Sequence, residues 1–443
     1  MGKTEVSGVV ADVSSLDFEG RGVAKIGGKT VFVKGAMPSE KVVCRIVKSK
    51  KQFDEAETVE VLRASGERVE PECRYFDTCG GCALQHIAPQ SQVAFKQRIV
   101  EEQLARIGKV VPQRVLPPIY GAAWHYRSRA RLSVEVDKAG RLKMGFHEKK
   151  TNDVVDIRSC KLLPVHISGC LPQVGDLLRR LVGAAQQVGF VEFYFGQELT
   201  VLNIKLNNSP SETVRNIIKE WFDSTLAGVA EKWQIWLQCG KEKSCVFYPD
   251  GNMVLKYVLP EFDVEMPYRP GDFTQVNAEM NAVMVSRALG MLDIRPGERV
   301  ADLFCGLGNF SLPMAKCGAE VLGIEGSETL VAQAAQNAVV NKCRQSAAFL
   351  AADLFEIGET DAAAWGKFDK MLLDPPRSGA YAVVKSLHAP YLPKKIVYVS
   401  CNPATLARDA AVLVEKGYIF KEVGVMNMFS QTAHAEAVAL FEL

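Results

Sequence analysis

Val300-Ala301-Asp302-Leu303-Phe304-Cys305-Gly306-Leu307-Gly308-Asn309-Phe310 reads as a buried strand, a glycine turn and the start of a helix. The apolar run supplies the strand, and Gly306 and Gly308 allow a tight turn and close approach of the backbone to a ligand. Outward from this stretch, strands and helices alternate. Strands are expected at Glu298–Phe304, Glu320–Ile324, Phe368–Leu373 and Lys395–Ser400, with helices at Leu312–Cys317, Glu328–Asn341 and near Ala382–His388. That alternation specifies an α/β domain with a doubly wound, Rossmann-like parallel sheet over residues 271–443. Tyr418–Met426 and Ala435–Phe441 should add an antiparallel hairpin at its edge.

Open α/β sheets bind ligands at the carboxyl ends of their strands. A dinucleotide fingerprint would need a third glycine at position 311, where Ser311 stands, which counts against NAD and FAD. Glu325 follows the second strand and can accept hydrogen bonds from ribose hydroxyls. Asp353 follows Phe349-Leu350-Ala351-Ala352 and can meet an adenine amino group, and Asp374-Pro375-Pro376-Arg377 ends a further strand. Cys401 ends the strand Lys395–Ser400, before a turn at Asn402-Pro403 and an expected helix from Ala404 to Glu415. Its thiol would lie beside a helix N-terminus, whose positive end favours the nucleophilic thiolate. A buried structural cysteine is the plainer alternative. Glu436 begins the last apolar strand, where desolvation would raise its pKa toward that of a useful base, and His434 is its rival for that role.

The rest of the chain frames this domain. With 443 residues, 48% hydrophobic and 23% charged, two or three domains are expected. No apolar run is long enough to span a bilayer, and Met1-Gly2-Lys3-Thr4-Glu5-Val6 has no signal-like stretch, so a cytoplasmic location is expected. The net charge of +2 neither demands nor excludes a nucleic acid. Five short strands within residues 1–65, starting with Ser7–Val13, suggest a small OB-like barrel. Lys41, Arg45, Lys48, Lys50 and Lys51 give it a basic edge suited to RNA, although lysines also protect an edge strand.

Residues 66–270 read as a central α+β domain, with an amphipathic helix over 91–109. Within it Trp124–Val134 reads as a strand that puts Arg127, Arg129 and Arg131 on one face. Three arginines cannot all find carboxylates cheaply, so a phosphate-facing surface is expected, extended by Lys138, Arg141, Lys143, Lys149 and Lys150. Cys73, Cys79 and Cys82 cluster tightly, Gly80 and Gly81 let the chain fold around a cofactor, and Cys160 is the candidate fourth ligand. Spacing alone leaves zinc and [4Fe–4S] equally open.

Asp302-x-Phe304-x-Gly306-x-Gly308, with Glu325 and Asp353, resembles the S-adenosylmethionine site of class I methyltransferases. Together with Phe273-Thr274-Gln275-Val276-Asn277, Asp374-Pro375-Pro376-Arg377, Ser400-Cys401-Asn402-Pro403 and His434-Ala435-Glu436, the chain resembles the RNA uracil-5 methyltransferase family from its first barrel to its end. The resemblance implies that Gln275, Phe304, Asn309, Glu325, Asp353 and Asp374 bind S-adenosyl-L-methionine. It implies Cys401 as nucleophile, Glu436 as base, and Cys73, Cys79, Cys82 and Cys160 as ligands of a [4Fe–4S] cluster. The barrel would be a TRAM domain. The likeness is strongest to the branch acting on bacterial 23S ribosomal RNA, at uridine 1939, and a monomer without membrane contact is expected. Another uridine in ribosomal or transfer RNA is the alternative target. Two further readings compete. A radical iron–sulfur methyltransferase is disfavoured because the spacing is not Cys-x3-Cys-x2-Cys, and an RNA-binding assembly factor with a vestigial site is disfavoured because Cys401 and Glu436 are both present.

Overall fold

The computed structural model describes residues 8–251 and 253–443. Ser7, the expected start of the first strand, lies outside them, as does the Met1–Val6 segment. The barrel is closed by β1 (Val9–Leu16), β2 (Gly22–Ile26), β3 (Lys29–Lys34), β4 (Lys41–Ser49) and β5 (Phe53–Arg63), in the order β1-β2-β3-β5-β4. Alternation along these strands turns Ala11, Val13, Ala24, Val31, Val33, Val42, Cys44 and Ala56 into a small core. The cysteine-rich loop follows, then α1 (Pro89–Gln103), which passes into a π-helical turn at Leu104–Gly108.

The chain next lays β6 (Arg114–Val115) on the far edge of the C-terminal sheet. The central layer is β7 (Arg129–Val136), β8 (Leu142–Gly145), α2 (Val165–Gly183), β9 (Val188–Phe195), β10 (Leu199–Leu206), α3 (Glu212–Thr225), β11 (Lys232–Cys239) and β12 (Cys245–Tyr248). Its sheet order is β12-β11-β10-β9-β7-β8, with α2 and α3 packed over its apolar side chains. The expected strand from Trp124 starts only at Arg129. His125 and Arg127 instead donate their N–H groups to the carbonyls of Lys161 and Leu162, and Ser128 donates to Val276. The three-arginine face is corrected too. Buried Glu192 takes both Arg129 (3.5 Å) and Arg131 (2.9 Å), so one carboxylate serves two guanidiniums and only Arg127 lines the cleft described below.

A two-stranded ribbon, β13 (Lys256–Leu259) and β14 (Val264–Pro267), leads into the C-terminal layer. That layer comprises α4 (Ala278–Leu292), β15 (Arg299–Leu303), α5 (Ser311–Lys316), β16 (Glu320–Glu325), α6 (Glu328–Val340), β17 (Ala347–Ala351), α7 (Glu359–Ala364), β18 (Lys370–Leu373), α8 (Tyr381–Ser386), β19 (Lys395–Ser400), α9 (Pro403–Glu415), β20 (Ile419–Met426) and β21 (Glu436–Glu442). The sheet order is β17-β16-β15-β18-β19-β21-β20-β6. Strands β15 to β19 are parallel, and the order reverses between β15 and β18, which opens a crevice at their carboxyl ends. The terminal hairpin departs from the expectation in one respect. β21 inserts between β19 and β20, and β6 covers the edge that β20 would otherwise expose. Among the described residues no helix is long and apolar enough to cross a membrane.

Candidate active site

The glycine turn after β15 is held in left-handed backbone at Phe304 (φ 65°), Gly306 (φ 54°) and Gly308 (φ 92°). For an aromatic residue this conformation costs about 1–3 kcal/mol and persists where the surroundings impose it. Phe304 and Cys305 are fixed by N–H bonds to the Ile324 carbonyl (2.8 and 3.1 Å). Gly306 N–H donates to Glu325 Oε2 (3.2 Å), and Ser327 N–H donates to Oε1 (3.1 Å), so Glu325 is oriented across the turn. Ser311, in the place of the missing third glycine, donates to buried Asp302 Oδ2 (2.5 Å). Burial raises the Asp302 carboxyl to about 7 despite that bond.

Beyond β17, Phe355 N–H donates to Asp353 Oδ1 (2.8 Å), and the exposed Phe355 ring stands 5.6 Å from Phe304. Asn309 exchanges two amide hydrogen bonds with Asn281, each 2.9 Å, and accepts one from the Tyr257 hydroxyl. Phe355, Asn281 and Tyr257 escaped the sequence reading. An exposed aromatic two residues after Asp353 was the one legible signal among them.

The thiol and the second carboxylate are brought together by register. Ser400 on β19 pairs with Ala437 on antiparallel β21 as the last pair of the ladder, so Cys401 and Glu436 are the next residues at that end of the two strands. Asp374 follows the end of β18, two strands away from β21, on the same sheet edge. The turn carrying Cys401 is clamped: Asn402 caps α9 by accepting from Ala404 N–H (3.1 Å), and its Nδ2 donates to the Arg377 carbonyl (2.9 Å). Glu436 is 3% exposed, and burial, followed by Asp374, pushes its carboxyl well above the ordinary range. Asp374 is raised to about 7 by burial and then Asp302.

The Cys401 thiol is pushed up to about 11 by burial, then Glu436 and Asp374, with Arg377 opposing. The expected lowering by the helix end is therefore outweighed in the free protein, because the thiol is buried and two carboxyl groups share the crevice. His434 lies 3.0 Å from Arg377 Nη2 through Nδ1, and burial and that guanidinium lower it to about 4. This makes it a poor proton acceptor beside Glu436.

The loop before β21 is held from outside the sheet. Gln92 and Gln431 exchange hydrogen bonds (2.9 Å each), and Ala83 and Leu84 N–H groups both donate to the Gln431 carbonyl. Gln431 is itself left-handed (φ 68°). Lys96, 1% exposed and without a carboxylate among the described residues, donates to Asn427 Oδ1 (2.8 Å) and the Phe429 carbonyl (2.9 Å). Gln92 and Lys96 interrupt the apolar stripe of α1, a signal present in the sequence and not used.

Gln275, Phe304, Asn309, Glu325, Asp353, Asp374, Cys401 and Glu436 all line one cleft of about 1900 Å³. Its walls include Arg21, Phe32 and Lys34 of the barrel and Cys82 of the cysteine loop. Cys73, Cys79, Cys82 and Cys160 form a separate group. The loop is folded by Cys79 N–H to Tyr75 carbonyl (2.8 Å), and Arg158 N–H to Tyr75 Oη (3.0 Å) draws the Cys160 segment alongside. Burial pushes the Cys82 thiol up to about 12, followed by the charges of Cys160, Cys79 and Cys73. Among the described residues no three His, Cys, Asp or Glu side chains are grouped as ligands of a metal ion. Gly80 serves packing: a Cβ there would stand 2.9 Å from the His147 carbonyl.

With this geometry in view, comparison with known proteins is decisive for the family. Residues 96–442 match the model of tRNA (Uracil-5-)-methyltransferase, and residues 3–59 match the TRAM domain. The chain belongs to the RNA uracil-5 methyltransferase family. It is 61% identical to the 23S rRNA (uracil(1939)-C(5))-methyltransferase RlmD of Neisseria lactamica, over 100% of this chain and 96% of that one. The RlmD of Aromatoleum aromaticum is 48% identical over 98% of this chain and 99% of its own. The Pyrococcus abyssi tRNA (uracil-54, C5)-methyltransferase, solved in complex with S-adenosyl-L-homocysteine, shares the fold. Its TM-score is 0.72 at 24% identity, over 98% of this chain and 100% of that one. The protein is thus an S-adenosylmethionine-dependent RNA (uracil-5-)-methyltransferase with an N-terminal TRAM barrel.

Proposed function

We propose that this protein methylates C5 of a uridine in 23S ribosomal RNA, at the position named as uracil 1939 in its Neisseria and Aromatoleum relatives. The observation that supports the chemistry is the β19–β21 register, whose last pair, Ser400 and Ala437, leaves Cys401 and Glu436 as the next residues on the two strands, both lining the cleft. S-adenosylmethionine, when bound, supplies an electrophilic methyl group on a positively charged sulfur. Gln275, Phe304, Asn309, Glu325, Asp353 and Asp374 would hold it, with Glu325 and Asp353 suited to hydroxyl and amino groups and Phe304 and Phe355 to an apolar ring face.

Uracil C5 is a weak nucleophile. Addition of the Cys401 thiolate to C6 moves the electron pair of the C5–C6 double bond toward C5, which then takes the methyl. Glu436 removes the C5 proton, the electrons of that C–H bond restore the double bond, and Cys401 leaves as thiolate. A carboxylate with a raised pKa is a competent acceptor for this proton. The raised Cys401 pKa keeps the resting thiol unreactive until a cation shares the crevice.

Cys73, Cys79, Cys82 and Cys160 are proposed to hold a [4Fe–4S] cluster. Cys73, Cys79 and Cys82 on the loop with Gly80 and Gly81, and Cys160 on the segment tied to it through Tyr75, would supply the four thiolates such a cluster takes. With all four iron atoms ligated, the role is structural or RNA-contacting. The chain supplies every proposed site residue itself, so a monomer suffices.

Mass mapping of 5-methyluridine in 23S RNA from cells with and without this protein tests the assignment. Loss of one methylated position, not restored by Cys401→Ala, is expected, and an unchanged map contradicts it. Anaerobically purified protein should contain about four iron atoms. About one zinc and no iron would contradict the cluster.

A further inference from the structure

The cleft continues past the methyl-transfer crevice, between the barrel, the cysteine loop and the 147–150 loop, where the mechanism above uses no residue. His86 lies in this wall. It is 4% exposed, and neither ring nitrogen has a hydrogen-bond partner among the described residues. A buried imidazole left unpartnered is destabilising, so the position calls for a ligand that completes it. The Phe76 ring packs against the imidazole, with centroids 5.9 Å apart. The Lys149 ammonium stands 3.8 Å from the Phe76 ring centre.

Lys149 and Lys34 both line the cleft and make no ion pair among the described residues; burial, followed by the Lys34 charge, lowers Lys149 to about 8. Lys150 differs, being paired with Glu57. Two unpaired ammonium groups beside an aromatic face are the ingredients of a nucleotide site: a base stacks on the ring and phosphate takes the charge. Burial lowers the imidazole to about 4, so it is neutral and offers one donor and one acceptor to a base edge.

We propose that Phe76, His86, Lys149 and Lys34 form a second nucleotide subsite, which takes an unpaired base of the substrate RNA flanking the methylated uridine. The base takes the place of the Lys149 ammonium on the Phe76 face and hydrogen-bonds to His86, and its phosphate lies on the displaced Lys149 and on Lys34. The enzyme thereby extracts a neighbouring base as a register mark. This rests on the reading above that the substrate is RNA.

The test uses the full-length protein and a 23S RNA fragment spanning the target uridine, with 2-aminopurine placed at each flanking position in turn. Wild type should change the fluorescence sharply at one position. Phe76→Ala should abolish that signal and weaken binding roughly 5- to 150-fold, the equivalent of one lost base stack, with the salt slope unchanged. Lys149→Met should lower the slope by about one. His86→Phe, which keeps a ring of similar shape, should weaken binding at that position without lowering the melting temperature. Wild-type affinity and fluorescence in both Phe76→Ala and His86→Phe would overturn the subsite, as would a loss spread evenly over all positions. If wild type binds the fragment and fails to methylate it, the proposed function fails and the subsite is still read from the fluorescence. If wild type methylates it and the variants bind normally, only the subsite fails.

Discussion

The proposed chemistry turns on Cys401, and the resting state of this residue is readable from its neighbours. Its thiol is pushed up to about 11 because the site is buried and holds Glu436 and Asp374. Alkylation of Cys401 should therefore rise with pH, with a midpoint near 11 in the free protein. Adding S-adenosylmethionine brings a positive charge into the crevice and should move that midpoint downward. S-adenosylhomocysteine, whose sulfur is neutral, should move it less. Iodoacetamide labelling followed by peptide mass spectrometry measures both, and an equal shift by the two ligands would show that charge is not the cause. Cysteine and glutamate were both legible in the sequence from strand-end positions. Their placement at one end of two paired strands was not, because it depends on which strand β21 pairs with, and sheet order leaves no mark in local sequence.

At the scale of elements, the 427–435 loop is positioned by α1 and the cysteine loop, not by the sheet that carries Glu436. Gln92→Leu leaves the Gln431 N–H and side-chain amide without their buried partners, at about 1–3 kcal/mol for each unsatisfied group. Hydrogen exchange across residues 427–434 should accelerate while the barrel stays protected. Unchanged exchange there would show that the loop holds itself. Parallel strands and the helices α6 and α9 were readable because their apolar runs are continuous and their caps are strong, at Ser327 and Asn402, whereas α4, capped by Asn277, was not expected. The segment before β7 misled because its apolar and basic alternation fits a strand, whereas its N–H groups are taken by loop carbonyls. Propensity cannot see that tertiary competition.

Across the whole molecule, barrel, cysteine loop and methyltransferase layer share one cleft, and this sets where charge matters for RNA. Arg129 and Arg131 are occupied by Glu192, whereas Arg127 lines the cleft. Arg127→Met should lower the salt slope of RNA binding by about one, and Arg131→Met should leave it unchanged. A slope lowered equally by both would mean that the Glu192 pairs open when RNA binds. The sequence showed three basic residues in alternation but not the buried carboxylate from another strand that neutralises two of them.

In the proposed mechanism Cys401 attacks first and Glu436 acts last. Glu436→Gln keeps the shape of the side chain and removes its capacity to take a proton. Incubated with labelled S-adenosylmethionine and a uridine-containing 23S fragment, this variant should give a protein–RNA adduct that survives denaturing electrophoresis and carries the transferred methyl. Normal turnover by the glutamine variant, or binding of both substrates with no adduct, would contradict the account.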